Sequence, residues 1–139
     1  MVNPDIIKAK IAHIKENVER LSEKREASLE EFKITRDLQD IVLHNLQLAI
    51  QGCIDIASHI ISDEGWTIPG NLPGLFNILW EKKVITDETR KVMKSMVGFR
   101  NVIVHEYEDI DLDKVYQVLK ERLRDFTVFI NQVSQYTNL

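Results

Sequence analysis

What this chain has little of narrows its class. One cysteine, Cys53, stands among 139 residues, so neither an intrachain disulfide nor a cysteine zinc cluster can form. Glycine (5) and proline (3) are sparse, which leaves few breakers and favours helices. No apolar run approaches the ~18 residues that a bilayer span needs. Met1 to Lys10 carries no signal-peptide apolar core. With so few thiols, the expectation is a cytoplasmic protein with no membrane contact. Basic excess is missing too: 18 Lys and Arg face 22 Asp and Glu, a net charge of −4. That balance argues against a high-affinity, non-specific nucleic-acid binder. It leaves room for an enzyme with a local basic cleft, or for a basic or nucleotide-bearing partner.

What is present is apolar periodicity of the helical kind, with no convincing strand. The expectation is an all-α fold, an antiparallel bundle of four to five helices in one domain, residues 1–139. The first helix is expected from about Asn3 to Ser28, with Asn3 as N-cap, Pro4 at the first helical position, and Ile7, Ile11, Ile14, Val18 and Leu21 as its stripe. The second is expected from about Thr35 to Ser62, on Leu38, Val42, Ala49, Cys53, Ile56 and Ile60. At 1.5 Å per residue it would run about 40 Å, longer than so small a domain needs internally, so its surplus is available for a partner subunit. A Gly- and Pro-rich connector, Asp63 to Pro73, leads to a short helix from about Leu75 to Lys82. Thr86 caps the next helix, whose face is Val92, Met96, Phe99 and Ile103. Glu106 to Asp111 reads as an acidic turn. Asp111 caps a last helix on Val115, Leu119, Leu123, Phe126 and Ile130.

The chemistry concentrates in Arg100 to Tyr107, R-N-V-I-V-H-E-Y. Arginine can hold a phosphate by two parallel hydrogen bonds, and histidine is the side chain best suited to moving protons near neutral pH. If the helix persists, Arg100, Asn101, His105 and Tyr107 all face away from the core and towards one another, since Asn101 and His105 are i, i+4 and Tyr107 is i+7 from Arg100. Taken alone, the spacing also reads as a helix C-terminus whose cation and histidine cap carbonyls.

Other residues draw attention. Asp37, His44, Leu48, Asp55 and His59 share a flank of the second helix. Asp55 and His59, four apart, have no third local ligand, so neither a metal nor a cofactor is expected. A polar network or a dimer seam is the plainer reading, with Asp37 or Asp55 as an acid that orients Arg100 or His105. Trp80 is expected in the core, and Trp66 is divided between packed anchor and exposed contact. Lys82, Lys83, Lys91 and Lys94 are either a solvated face or a modest basic patch. Cys53 is expected as an inert core thiol.

Gly98 to Tyr107, G-F-R-N-V-I-V-H-E-Y, resembles the R-x4-H-x-Y motif of the HEPN superfamily, most of all its HepT-like branch. Ala49 to Ile61 is similar to the family's long helix with an Asp and a His four apart, and Phe76 to Ile85 to its short preceding helix. The resemblance runs from about Val2 to Val133. It implies a metal-independent endoribonuclease toxin that cleaves RNA as a homodimer, with a nucleotidyltransferase antitoxin as partner. On that resemblance Arg100 and His105 carry the chemistry and Tyr107 receives AMP from the antitoxin; beside it, Asn101 is expected to donate a further hydrogen bond, with Asp37 or Asp55 in support. A non-catalytic RNA- or nucleotide-binding module that partners a nucleotidyltransferase is the alternative, and the acidic balance favours it.

Overall fold

The computed structural model describes residues 2–139, so Met1, where the N-terminal reading above begins, lies outside the described residues. All regular structure in them is helical. Four long helices, α1 (Pro4–Lys24), α3 (Arg36–Asp63), α5 (Asp87–His105) and α7 (Leu123–Thr137), form the bundle. Three short ones, α2 (Leu29–Ile34), α4 (Leu72–Glu81) and α6 (Leu112–Glu121), close its ends, and a 3-10 turn spans Tyr107–Asp109.

The direction of each helix follows from which residues meet. Lys10 reaches Asp55 and Asn17 reaches Asn45, so α1 and α3 are antiparallel. Arg100 meets Gln51 and Tyr107 meets Asp40, so α5 descends along α3. Gln132 meets Thr86, the cap of α5, which sets α7 against α5. Tyr136 bonds Glu64 near the start of α1, which brings α7 back to α1.

The sequence dictates most of these ends. Asn3, Ser28, Asn71, Thr86 and Asp111 each accept a backbone N–H in the first turn that follows, satisfying donors that the helix cannot. α3 is the spine. Its 28 residues span about 42 Å, and its inward positions from Val42 to Ile61 are buried. Gly52 lets α1 come close, because a Cβ there would lie 2.6 Å from Ile14 Cγ1.

Two elements differ from the sequence expectation. The first helix stops at Lys24, and a separate short helix, capped by Ser28, buries Phe32 against Tyr116 of α6. The last helix is broken at Arg122 into α6 and α7. Leu119 and Leu123 are both buried across the break, so the apolar phase continues while the backbone turns. Among the described residues there are thus seven α-helices, α2 and the division of the last helix being added to the expected all-α bundle.

Candidate active site

Arg100 leaves the C-terminal half of α5 half-buried against α3. Its Nη2 donates to Gln51 Oε1 at 2.8 Å, and Nη1 to Asn101 Oδ1 at 3.4 Å. Its Nε is buried with no hydrogen-bond partner among the described residues. The contact continues inward: Gln51 Nε2 donates to Asp55 Oδ1 at 2.9 Å, and Lys10 Nζ to Asp55 Oδ2 at 3.3 Å. A polar relay, Arg100–Gln51–Asp55–Lys10, thus crosses from α5 through α3 to α1. A neutral amide at the second place fixes the guanidinium without neutralising it. Of the two acids expected to orient Arg100 or His105, Asp55 reaches Arg100 only by way of Gln51, a residue that sequence reading passed over.

His105 is the last residue of α5, exposed, and its imidazole makes no hydrogen bond among the described residues. Asn101 is exposed one turn before it. Glu106 then leaves helical geometry, with φ −126 and ψ 31, and the chain tightens into the 3-10 turn. This changes where Tyr107 points. The expectation that it returns to Arg100's flank and faces away from the core assumed an unbroken helix. Instead its ring packs on the core, and its hydroxyl donates to Asp40 Oδ1 of α3 at 2.5 Å. Arg36 Nε lies 3.3 Å from the same carboxylate oxygen, and its Nη2 3.3 Å from Glu108. Burial first, and the carboxylate next, push the Tyr107 phenol up to about 12. The phenol's hydrogen bond, with help from Arg36, holds Asp40 below the usual carboxylate range against the opposing pull of desolvation.

Asp37 is exposed in the first turn of α3 and touches neither Arg100 nor His105. His44 and His59 make no side-chain hydrogen bond among the described residues, and the carboxylate of Asp55 is engaged by Gln51 and Lys10. Trp80, expected in the core, is 41% exposed with the Arg90 guanidinium 4.7 Å from its ring centroid. Trp66 is half-buried against Tyr136, beneath Lys82. Lys91 is committed to Asp87 at 3.3 Å, which weakens the basic-patch reading. Cys53 is fully buried, and burial pushes its thiol up, as an inert core thiol requires.

Around the motif the surface is unusual. Ile41 (40%), Leu48 (43%) and Val104 (41%) are exposed apolar side chains; the first two lie on α3 with His44 between them in sequence, and Val104 is one turn beyond Arg100 on α5. Val104 thus adjoins both the fixed Arg100 cation, one turn away, and His105, its neighbour in sequence, at the C-terminal end of α5.

A family model described as ribonuclease HepT-like matches residues 14–133. An mRNA nuclease HepT of Shewanella oneidensis is 38% identical over 129 residues, covering 93% of this chain and 96% of that one. A tRNA nuclease HepT of Aphanizomenon flos-aquae is 28% identical over 135 residues, 97% of this chain and 92% of that one. Among solved structures, a tri-AMPylated Shewanella oneidensis HEPN toxin in complex with MNT antitoxin is similar at a TM-score of 0.88 and 37% identity, over 96% of this chain and 99% of that one.

Proposed function

The chain belongs to the HepT-like ribonuclease family, and from that premise we propose that it is the toxin of a toxin–antitoxin pair. It cleaves RNA endonucleolytically without a metal ion, as a homodimer of a single domain spanning residues 1–139. An MNT-type nucleotidyltransferase antitoxin silences it by moving AMP onto Tyr107.

The observation that carries this reading is the Arg100 guanidinium, held by a neutral amide 2.8 Å away while the imidazole of His105 stands free on the same helix. RNA brings its own nucleophile, the 2′-hydroxyl. A base takes the hydroxyl proton, the 2′-oxygen bonds to phosphorus, and the bond to the 5′-oxygen breaks as an acid protonates it. His105 serves as base or acid, and Arg100 stabilises the charge that grows on the phosphoryl oxygens. The guanidinium keeps donor capacity that its tether does not use, since only Nη2 is held close by Gln51 and the Nη1 contact to Asn101 is long at 3.4 Å. Asn101, next to Arg100 on the exposed side, supplies a further donor.

One histidine does not easily perform both proton transfers, and two copies of the chain bring two. The exposed Ile41, Leu48 and Val104 support pairing on this flank. A second reading, a non-catalytic RNA- or nucleotide-binding module, draws on the net charge of −4. The test is RNA cleavage in EDTA by protein whose intact mass shows no AMP, wild type beside Arg100→Ala and His105→Ala. Cleavage by wild type, lost by at least about 10²-fold in each variant, supports the nuclease. No cleavage of several RNA classes favours the module.

A further inference from the structure

The hydroxyl of Tyr107 is already paired with a base. Among the described residues, Asp40 is the acceptor within hydrogen-bond reach of it, at 2.5 Å. His105, two residues earlier, makes no such contact. Asp40 sits on the rigid spine α3, whereas Tyr107 sits in the 3-10 turn, so the carboxylate fixes where the phenolic oxygen lies. The pair occupies a small hollow whose other charged groups are Arg36 and Glu108.

We infer that Asp40 is the catalytic base of the adenylyl transfer onto Tyr107, taking the phenolic proton as the oxygen attacks the α-phosphorus of ATP. This rests on the reading of Tyr107 as the AMP acceptor. The bond from Tyr107 Oη to the α-phosphorus forms, and the bond from that phosphorus to the oxygen bridging to the β-phosphate breaks. Pyrophosphate leaves with the electron pair, and the proton passes to the Asp40 carboxylate. The chemistry needs such a base. A phenol whose acidity is pushed to about 12 is almost wholly protonated near neutral pH. As the new bond forms the phenolic oxygen becomes far more acidic, so even a weakly basic carboxylate accepts its proton in the transition state. Arg36, 3.3 Å from the same carboxylate oxygen, stands where the new anionic phosphodiester arises and offsets its repulsion from Asp40.

The test follows adenylyl transfer to the full chain by intact mass, using an MNT-type nucleotidyltransferase and ATP. Asp40→Asn and Asp40→Glu are compared with wild type from neutral to alkaline pH. Asp40→Asn keeps the size of the side chain and is half-exposed, and its circular dichroism is checked first. The expected result is transfer about 10²- to 10⁴-fold slower in Asp40→Asn, with partial recovery in Asp40→Glu. The ratio of wild-type to Asp40→Asn rates is expected to shrink about tenfold per pH unit, because hydroxide replaces the missing base; the transferase's own pH dependence cancels in that ratio. A ratio that stays constant with pH assigns Asp40 a positioning role and overturns the inference. Equal rates overturn it while leaving Tyr107 as the acceptor. No AMP on wild type overturns the reading of Tyr107, and this inference with it.

Discussion

Two side chains of one short segment are tied to the same helix by opposite chemistry. Arg100 is held on α3 by the amide of Gln51, and Tyr107 by the carboxylate of Asp40 about three turns away. The amide takes a hydrogen bond and leaves the positive charge available for a phosphate. The carboxylate binds a neutral phenol and would quench a cation. Between them His105 makes no hydrogen bond among the described residues. Fixed groups are those whose position matters before a ligand arrives, and the free one must exchange protons with whatever is brought to it.

The comparison breaks most sharply if Arg100 does not need its planar fork. Arg100→Lys keeps the charge and loses the planar bidentate fork, so RNA cleavage is expected to fall at least about 10²-fold, about 2.7 kcal/mol in the barrier. A rate near wild type would reduce Arg100 to a point charge.

Gln51→Glu makes the first tether resemble the second. The acceptor remains but now neutralises Arg100, and it faces Asp55, 2.9 Å from the present amide nitrogen. Cleavage is expected to fall at least about tenfold, about 1.4 kcal/mol, with the melting temperature shifted by only a few degrees. Measuring rate and melting temperature on one preparation separates loss of charge from loss of fold.

Gly52→Ala disturbs the scaffold under the Arg100 tether alone. The added carbon would meet Ile14 at 2.6 Å and push α1 from α3, at a cost of about 1–3 kcal/mol. Denaturant unfolding reads that loss. Since the Asp40 tether lies about three turns away on α3, the titration of Tyr107 is expected to stay as in wild type.

The smallest effect is the pH dependence of the second tether. Tyr107's acidity is weakened in the fold to about 12, against about 10 when unfolded. Its stabilisation is therefore present below about pH 10 and lost as pH rises towards 12. Asp40 is held below its usual range, so on the acid side the contribution is present above about pH 4 and lost as pH falls through the lower folded value. Phenolate absorbance checks this: Tyr107 is expected to titrate late, and Asp40→Asn to bring it back towards about 10. An unmoved titration in that variant would leave burial as the whole cause.

The helices were legible where periodicity and caps agree. Asn3, Thr86 and Asp111 mark starts that the structure keeps, and the stripe of α3 is buried as its spacing requires. The break at Arg122 was not legible, since Leu119, Leu123 and Phe126 stay in apolar phase across it. Nor was α2, a single apolar anchor, Phe32, on six residues. Within the site, Arg100 and His105 stood out because their residue types carry chemistry at close spacing. Gln51 and Asp40 did not, because their roles come from the register between α3 and α5, across 49 and 67 positions of sequence. Asp37 and Asp40 are one helical turn apart, and no local pattern separates the acid that meets Tyr107 from the one that faces solvent.

The most direct measurement uses unmodified, mass-verified protein in EDTA on one RNA and on its 2′-O-methyl counterpart, with the ends of the products identified. The expected result is that the RNA alone is cut, leaving 2′,3′-cyclic phosphate ends, as the free His105 and the fixed Arg100 require. Cleavage of the 2′-O-methyl strand, or cleavage of either strand only after a divalent metal is restored, would contradict it.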